Sequence, residues 1–145
     1  MELLEALAFV LLPVFLVVFF AGRNAGLKKV SMAISGETFT VEVADTWFAR
    51  MRGLQNRTGI GPNEGMLFVF PREGRPSFWM KDVEFPLDIV FLDKDKTIVE
   101  VFEKLPPCMS PFCRTYRPSS KIKYALELPA GTAERLGIKP GASFR

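Results

Sequence analysis

Residues 87–102 read LDIVFLDKDKTIVEVF, and this stretch decides the class of fold. The run Leu87–Leu92 is almost entirely apolar, and residues 97–102 are rich in β-branched side chains. The four charged residues between them, at 93–96, are typical of a tight turn. Two runs of strand length joined by such a turn predict an antiparallel hairpin.

Further runs of strand length lie on both sides of this hairpin. Residues 66–70 (MLFVF) are apolar at every position, as in a strand that is buried on both faces. A turn signal at residues 35–37 separates two short runs and predicts a second hairpin. The predicted strands outside the first hairpin are residues 30–34, 38–43, 66–70, 77–83, 121–128 and a short last one at 142–144.

A short helix is expected between two of these strands. Trp47, Met51 and Leu54 recur at helical spacing, which predicts a helix over residues 46–53. Asp45 precedes this segment and is the expected N-cap, because a carboxylate there accepts from free backbone N–H groups.

A second short helix is predicted over residues 132–136, with Thr132 as its cap and Gly137 at its end. Seven or so short strands separated by glycine and proline turns are typical of all-β folds. The sequence therefore predicts a mainly β domain, a small antiparallel β-sandwich or barrel with one or two short helices.

The N-terminal segment has a different composition. Ala6–Gly22 contains 17 residues without a charged side chain. A helix that spans the hydrocarbon core needs about 20 residues, so residues 3–22 are expected to lie in a lipid bilayer. Glu2, Glu5 and the lack of a small-x-small cleavage site argue against a cleaved signal peptide. A buried helix of a globular protein is the alternative interpretation.

The chain is therefore divided into a transmembrane anchor or uncleaved signal at 1–22, a linker at 23–29 and a mainly β domain at 30–145. After residue 22 there are 19 basic and 14 acidic residues, which give that part a net charge of +5 against +3 for the whole chain. Because no run of five like charges occurs, no nucleic-acid partner is expected. A mild positive charge suits a domain close to anionic lipid headgroups.

The chain of 145 residues contains no histidine. This excludes a Ser-His-Asp triad, a Cys-His dyad and any metal site that needs imidazole. No cofactor is expected. Asparagine and glutamine are also scarce, and this composition resembles that of heat-adapted proteins.

Three motifs resemble those of one known family, in the same order along the chain. They are Gly65–Phe70 (GMLFVF), Phe78–Lys81 (FWMK) and Pro86–Asp93 (PLDIVFLD), with similar stretches at Arg52–Arg57 and Leu126–Gly131. The chain is identified on these as resembling the domain of unknown function 192 family, or uncharacterised protein family 0127, over about residues 38–144. The resemblance implies a compact, mainly β domain, often placed behind a signal or anchor, and no assigned activity. Gln55 and Asp82 depart from the family pattern, which puts in doubt a site that needs an amide at position 82.

Cys108 and Cys113 lie in a proline-rich loop, where four intervening residues allow the two sulfurs to meet. A disulfide is the expected state. Two thiolates with Met109 would instead suit Cu(I), and free thiols are a further alternative.

Charged residues inside apolar strands are the candidate site. Asp88 and Glu127 each lie between two aliphatic residues, and Lys81 shares a strand face with Trp79. Such groups must be paired or hydrogen-bonded when buried. They form either a ligand-binding cleft or a buried ion-pair network that fixes strand register. The proposed ligand-binding residues are Arg57, Trp79, Lys81, Asp82, Asp88 and Glu127.

Three functions remain open on the sequence. The first is a binding module of the cell envelope, for a glycan, a peptide or a partner protein. The second is a copper-handling protein, in which methionines add to the cysteine pair. The third is a hydrolase that uses Asp88 and Glu127 as acid and base, although the lack of histidine favours binding over catalysis.

Two sets of features favour opposite sides of the membrane for the domain. Arg23, Lys28 and Lys29 follow the apolar segment, and the positive-inside rule places the domain in the cytoplasm on that basis. A disulfide, the glycosylation triplet at Asn56 and the export that is usual in the family favour the outer face. The domain is expected on the outer face.

Overall fold

Eight strands and two short helices follow one another between residues 26 and 144, the part of the chain that the computed structural model describes. The predicted membrane anchor at 1–22 lies outside these residues. Between residues 26 and 144, no helix has the length and apolar character needed to cross a membrane. The elements are β1 (Lys29–Ile34), β2 (Glu37–Ala44), α1 (Trp47–Arg52), β3 (Glu64–Gly74), β4 (Phe78–Trp79), β5 (Leu87–Leu92), β6 (Ile98–Leu105), β7 (Thr115–Tyr116), β8 (Ile122–Pro129) and α2 (Thr132–Leu136).

Six of the strands form one sheet in the order β1-β2-β3-β8-β5-β6. The predicted hairpins β1–β2 and β5–β6 are confirmed and antiparallel. β2 and β3 run parallel, because α1 and the loop after it carry the chain back across the sheet. The mainly β class with two short helices is confirmed. The wholly antiparallel sandwich or barrel is not found, since the six-stranded sheet of the described residues contains a parallel pair and its edge strands β1 and β6 do not pair with each other.

Two predicted strands are shorter in the structure. The segment 77–83 contributes only β4, which pairs with β7 in a separate two-stranded sheet. The predicted strand 142–144 is reduced to a single bridge between Thr97 and Ser143. Tyr116 lies in β7, a strand that the sequence did not predict.

Alternating side chains of the central strands fill two apolar cores, one on each face of the sheet. Leu87, Ile89 and Phe91 of β5 belong to the core on the face covered by α1, hereafter the α1 face. Val90 and Leu92 belong to the core on the opposite face, covered by α2, hereafter the α2 face. This period-2 division explains why β5 is buried at all six positions.

Both predicted helix caps are wrong in detail. The side chain of Thr46, and not Asp45, accepts the N–H of Ala49 at 3.1 Å. At α2 the N-cap position is Gly131, which has no side chain to offer, and Thr132 is already helical. A carboxylate from β5 replaces the missing cap, as described below.

The close approach of β3 and β8 requires a glycine at position 65. A Cβ built on Gly65 would lie 2.6 Å from the carbonyl oxygen of Glu127 and 3.0 Å from a methyl of Leu128. Because a backbone oxygen cannot give way as a flexible side chain can, any larger residue would separate the two strands. Gly65 thereby fixes the position of Glu127.

We predict that Gly65→Ala lowers the free energy of unfolding by about 1–3 kcal/mol, the range for overpacking in a well-packed core. Gly74→Ala is the matched control, because it lies at the other end of β3 and its added Cβ meets nothing within 4 Å. Urea unfolding of both variants, in a fragment of residues 23–145, measures the difference. Equal stability of the two variants would contradict this account of the β3–β8 contact.

Candidate functional site

The cysteine pair forms a disulfide, as expected. Cys108 and Cys113 are bonded, with their Cα atoms 5.9 Å apart. The loop they close is held beside β4, since the N–H of Cys108 donates to the carbonyl of Met80 at 3.2 Å. The copper alternative needs two free thiolates, and here the two sulfurs are bonded to each other.

A cleft of about 500 Å³ lies on the α1 face, between α1 and β4. Aromatic rings form much of its wall, and Phe78 contacts Phe68 and Phe70 edge to face. Trp79 lines the cleft and is 43% exposed. The lining residues are Trp47, Arg50, Met51, Arg52, Gly53, Leu54, Gln55, Phe68, Phe70, Pro76, Ser77, Phe78, Trp79, Val83, Thr115 and Glu127.

Glu127 is the single carboxyl among these lining residues. It lies on the central strand β8, beside Met66 of β3 and Ile89 of β5, and is buried. Its Oε2 has no hydrogen-bond partner among the described residues. Burial raises the pKa of Glu127 from 4.5 to about 8. At neutral pH the side chain is therefore mostly a neutral acid, which can donate a proton as well as accept one.

Asp88 is also fully buried, but it lies on the α2 face. It pairs with Leu128 across β5 and β8, whereas Glu127 pairs with Ile89. Each of its oxygens accepts a backbone N–H at 2.8 Å, one from Lys104 in β6 and one from Ala133 in α2. The second bond is the cap that α2 lacks in its own sequence. The predicted role of Asp88 in a buried ion-pair network is wrong, since its partners are backbone amides.

Asp88 and Glu127 cannot act on one substrate, because their side chains leave adjacent strands on opposite faces of the sheet. The acid–base pair of the hydrolase hypothesis is therefore not assembled. The retaining and inverting geometries of paired carboxylates both require the two groups to flank the same bond.

The remaining predicted site residues lie outside the cleft lining. Arg57 makes a bidentate ion pair with Glu42, in which its Nη2 and Nη1 donate to Oε2 and Oε1 at 2.6 and 3.2 Å. This pairing lowers the pKa of Glu42. Lys81 forms a single bridge with Cys108, and Asp82 has a positive φ of 56°. The backbone of Asp82 bonds to Cys108 and to Asn56. Of the six predicted ligand-binding residues, Trp79 and Glu127 are brought together.

Sequence reasoning missed the contribution of α1 to the cleft. Of the three residues whose spacing predicted the helix, Leu54 is buried, whereas Trp47 and Met51 are 61% and 48% exposed. Arg50 donates to the carbonyls of Asp45 and Val69 at 2.6 and 2.8 Å and lies over the ring of Phe70. The signal in the sequence was WFARMR itself, because adjacent aromatic residues 47 and 48 and arginines on both sides of Met51 do not form a single apolar stripe.

The chain resembles proteins of one family throughout the described domain. The family model DUF192, described as "Uncharacterized ACR", matches residues 30–145. A UPF0127 protein of Thermococcus sibiricus is 31% identical over 106 residues, which cover 72% of this chain and 64% of that protein's length. A UPF0127 protein of Pyrococcus abyssi is 31% identical over 107 residues, covering 70% of this chain and 80% of the relative.

Two crystal structures have a similar fold. A protein of unknown function from Novosphingobium aromaticivorans superposes with a TM-score of 0.74 at 31% identity, over 84% of this chain and 88% of that one. A proposed transcription regulator from Sinorhizobium meliloti gives a TM-score of 0.75 at 34% identity, over 85% of this chain and 97% of the other.

We predict that Asp88→Asn destabilises the fold by about 1–3 kcal/mol, because an amide supplies one acceptor where two backbone N–H groups need one each. The midpoint of urea unfolding measures this change. Asp45→Asn, at an exposed position, is the control and should leave the midpoint unchanged. A neutral effect of Asp88→Asn would rule out the proposed capping of α2 and β6.

The raised pKa of Glu127 predicts how the free energy of unfolding depends on pH. In the folded state this carboxyl holds its proton up to about pH 8, whereas in the unfolded state it releases it near 4.5. The folded state then binds more protons in that window, so the free energy of unfolding decreases as the pH rises from 4.5 to 8. Glu127→Gln, which stays neutral, should melt at nearly the same temperature as the natural protein at about pH 4.5 and several degrees higher at about pH 9.

Glu84→Gln controls for the loss of one negative charge, because Glu84 is exposed. Its melting temperature should follow that of the natural protein at both pH values. A constant difference between Glu127→Gln and the natural protein across the pH range would show that Glu127 does not titrate in this window. Circular dichroism of a fragment of residues 23–145 provides the melting curves.

Proposed function

The chain belongs to the DUF192 family, a family of uncharacterised function, and we propose that it is a binding module whose cleft takes a ligand with an apolar body and one polar group. The observation that carries the proposal is the buried Oε2 of Glu127, which has no partner among the described residues. Buried polar groups in proteins are nearly always hydrogen-bonded, and leaving one unpaired costs about 1–3 kcal/mol. A bound ligand that pairs with Glu127 recovers that free energy.

The chemistry of the cleft defines the ligand class. Its volume of about 500 Å³ lies in the usual range for small-molecule sites. The walls formed by Phe68, Phe78 and Trp79 favour a flat or aliphatic body. Because Glu127 is mostly neutral at pH 7, it can donate to a carbonyl of the ligand and both donate to and accept from an amide or hydroxyl.

Binding is a better match to this cleft than hydrolysis or copper handling. The cleft lining contains one carboxyl, and its other ionisable side chains, Arg50 and Arg52, are guanidinium groups that do not exchange a proton near neutral pH. A general base and a general acid acting on one bond need two such groups within reach of the substrate. Copper handling would require the Cys108–Cys113 disulfide to be reduced.

The location of the module is also part of the proposal. The apolar segment at residues 3–22 supports a single-pass membrane anchor, with the bilayer as a partner. The disulfide supports an oxidising compartment, and hence the outer face of the membrane as a part of the cell envelope. The envelope ligand is then a glycan, a peptide or a side chain of a partner protein that meets the chemistry above.

Nucleic-acid binding receives less support, although one structural relative is described as a proposed transcription regulator. The domain lacks a run of like charges, and Arg50 is held by backbone carbonyls. A phosphate-binding surface needs several free basic side chains on one face.

We predict that the neutral apolar fluorophore N-phenyl-1-naphthylamine binds the cleft and that its affinity depends on the protonation of Glu127. If only the neutral acid admits the probe, a pKa of about 8 reduces the competent fraction about 30-fold at pH 9.5, and Kd rises by the same factor. Fluorescence titration of the fragment at about pH 6.5 and 9.5 measures this ratio. Glu127→Gln should bind with the same Kd at both pH values.

Two further variants test whether the probe occupies this cleft. Ser77→Trp adds an indole to the lining and should abolish binding at both pH values. Ser120→Trp adds the same indole at an exposed position outside the lining and should have no effect. Binding that is insensitive to Ser77→Trp, or a pH dependence retained in Glu127→Gln, would overturn the proposed site.

A further inference from the structure

Large apolar side chains on α1 remain open to solvent in the described part of the chain. Trp47 is 61% exposed, Phe48 is 78% exposed and Met51 is 48% exposed. None of the six residues of α1 is buried. We call these three side chains the α1 patch. Clustered exposed aromatic residues of this kind mark surfaces that are covered by something else.

The beginning of the described chain lies close to this patch. The carbonyl of Lys28 accepts the N–H of Val43 at 2.8 Å, and Val43 is near the end of β2, just before α1. Leu27 packs into the same core as Ala49 of α1. The chain therefore enters the domain at the end of the sheet from which α1 departs.

The link from the apolar segment to this entry point is short. Gly22 is the last residue of that segment, and Gly26 is the first described residue. Four residue steps span at most about 14 Å when fully extended. If residues 3–22 cross a bilayer, the end of the domain that carries α1 is held against the membrane surface.

The charges near the patch suit an anionic lipid surface. α1 contributes the exposed Arg52, and the exposed side chains of Lys28 and Lys29 lie at the entry point. Lys29 is 3.8 Å from Glu42, and Asp45 is the acidic residue that precedes α1. Tryptophan with arginine is the combination found at the headgroup level of membranes, where the indole has one apolar and one wet side.

We propose that the α1 patch lies in the headgroup region of the bilayer that holds residues 3–22. This inference rests on the membrane anchor of the proposed function and does not depend on the ligand. Trp47 and Met51 belong both to the patch and to the lining of the cleft. The cleft consequently opens towards the lipid headgroups, and a ligand reaches Glu127 from the membrane surface.

The test uses the full chain in lipid nanodiscs of phosphatidylcholine with a quarter of phosphatidylglycerol. The chain has two tryptophans, so Trp79→Phe in nanodiscs with a tryptophan-free scaffold leaves Trp47 as the single tryptophan. Nanodiscs whose acyl chains are brominated close to the headgroup should reduce Trp47 emission by roughly half, as expected for a side chain at the headgroup–acyl boundary. Bromine deep in the acyl chains should quench it less.

The matched control moves the fluorophore to the other face of the sheet. Phe144 packs in the core of the α2 face, and the triple variant Trp47→Phe, Trp79→Phe, Phe144→Trp reports from there. This reporter should be equally bright in brominated and ordinary nanodiscs. Quenching of both reporters to the same extent would overturn the proposed orientation.

Two other outcomes also overturn the inference, and they separate its failure from that of the anchor. In the first, brominated lipid does not quench the emission of Trp47, and aqueous iodide does not quench it either. This would show that a second copy or residues 3–22 cover the patch. Release of the chain from the nanodisc by alkaline carbonate would show that the anchor fails, and the inference with it. Neither outcome affects the probe-binding test of the cleft.

Discussion

One buried carboxylate, Asp88, holds three elements of this domain in place. A charge inside the protein is tolerated only when hydrogen bonds replace its water, and Asp88 meets that condition with two backbone N–H groups. One comes from Lys104, where β6 departs from regular pairing with a positive φ of 53°, and the other from the first turn of α2. The irregular end of β6 and the start of α2 therefore both depend on a side chain of β5.

The same physical rule, applied to the opposite face of the sheet, points to the site. Glu127 is one strand away from Asp88 and is also buried, but an oxygen of its carboxyl has no partner among the described residues. Among the described residues, no hydrogen bond to this oxygen offsets the cost of burying it. Residues that lower the stability of a protein and make no compensating contact are typical of functional sites. A ligand can supply the missing hydrogen bond there.

The crossover between β2 and β3 links this site to the surface of the molecule. Because these strands are parallel, the chain must cross the sheet between them, and α1 is part of that crossing. α1 closes one side of the cleft and leaves Trp47 and Phe48 exposed at the end of the sheet where the chain enters. A cleft with a neutral acid at its base and an aromatic, basic rim suits a ligand presented at an interface.

The sequence by itself determined most of the strands, the two short helices, the family and the disulfide, because these depend on local periodicity and on neighbours within a few residues. It also singled out Asp88 and Glu127 as charges inside apolar strands. Tertiary structure decided what each charge does, since hydrogen-bond partners such as Lys104 and Ala133 are distant in the chain and the face of each strand depends on register. Exposure of Trp47 and the parallel pairing of β2 with β3 were likewise decided by packing, which no local pattern encodes.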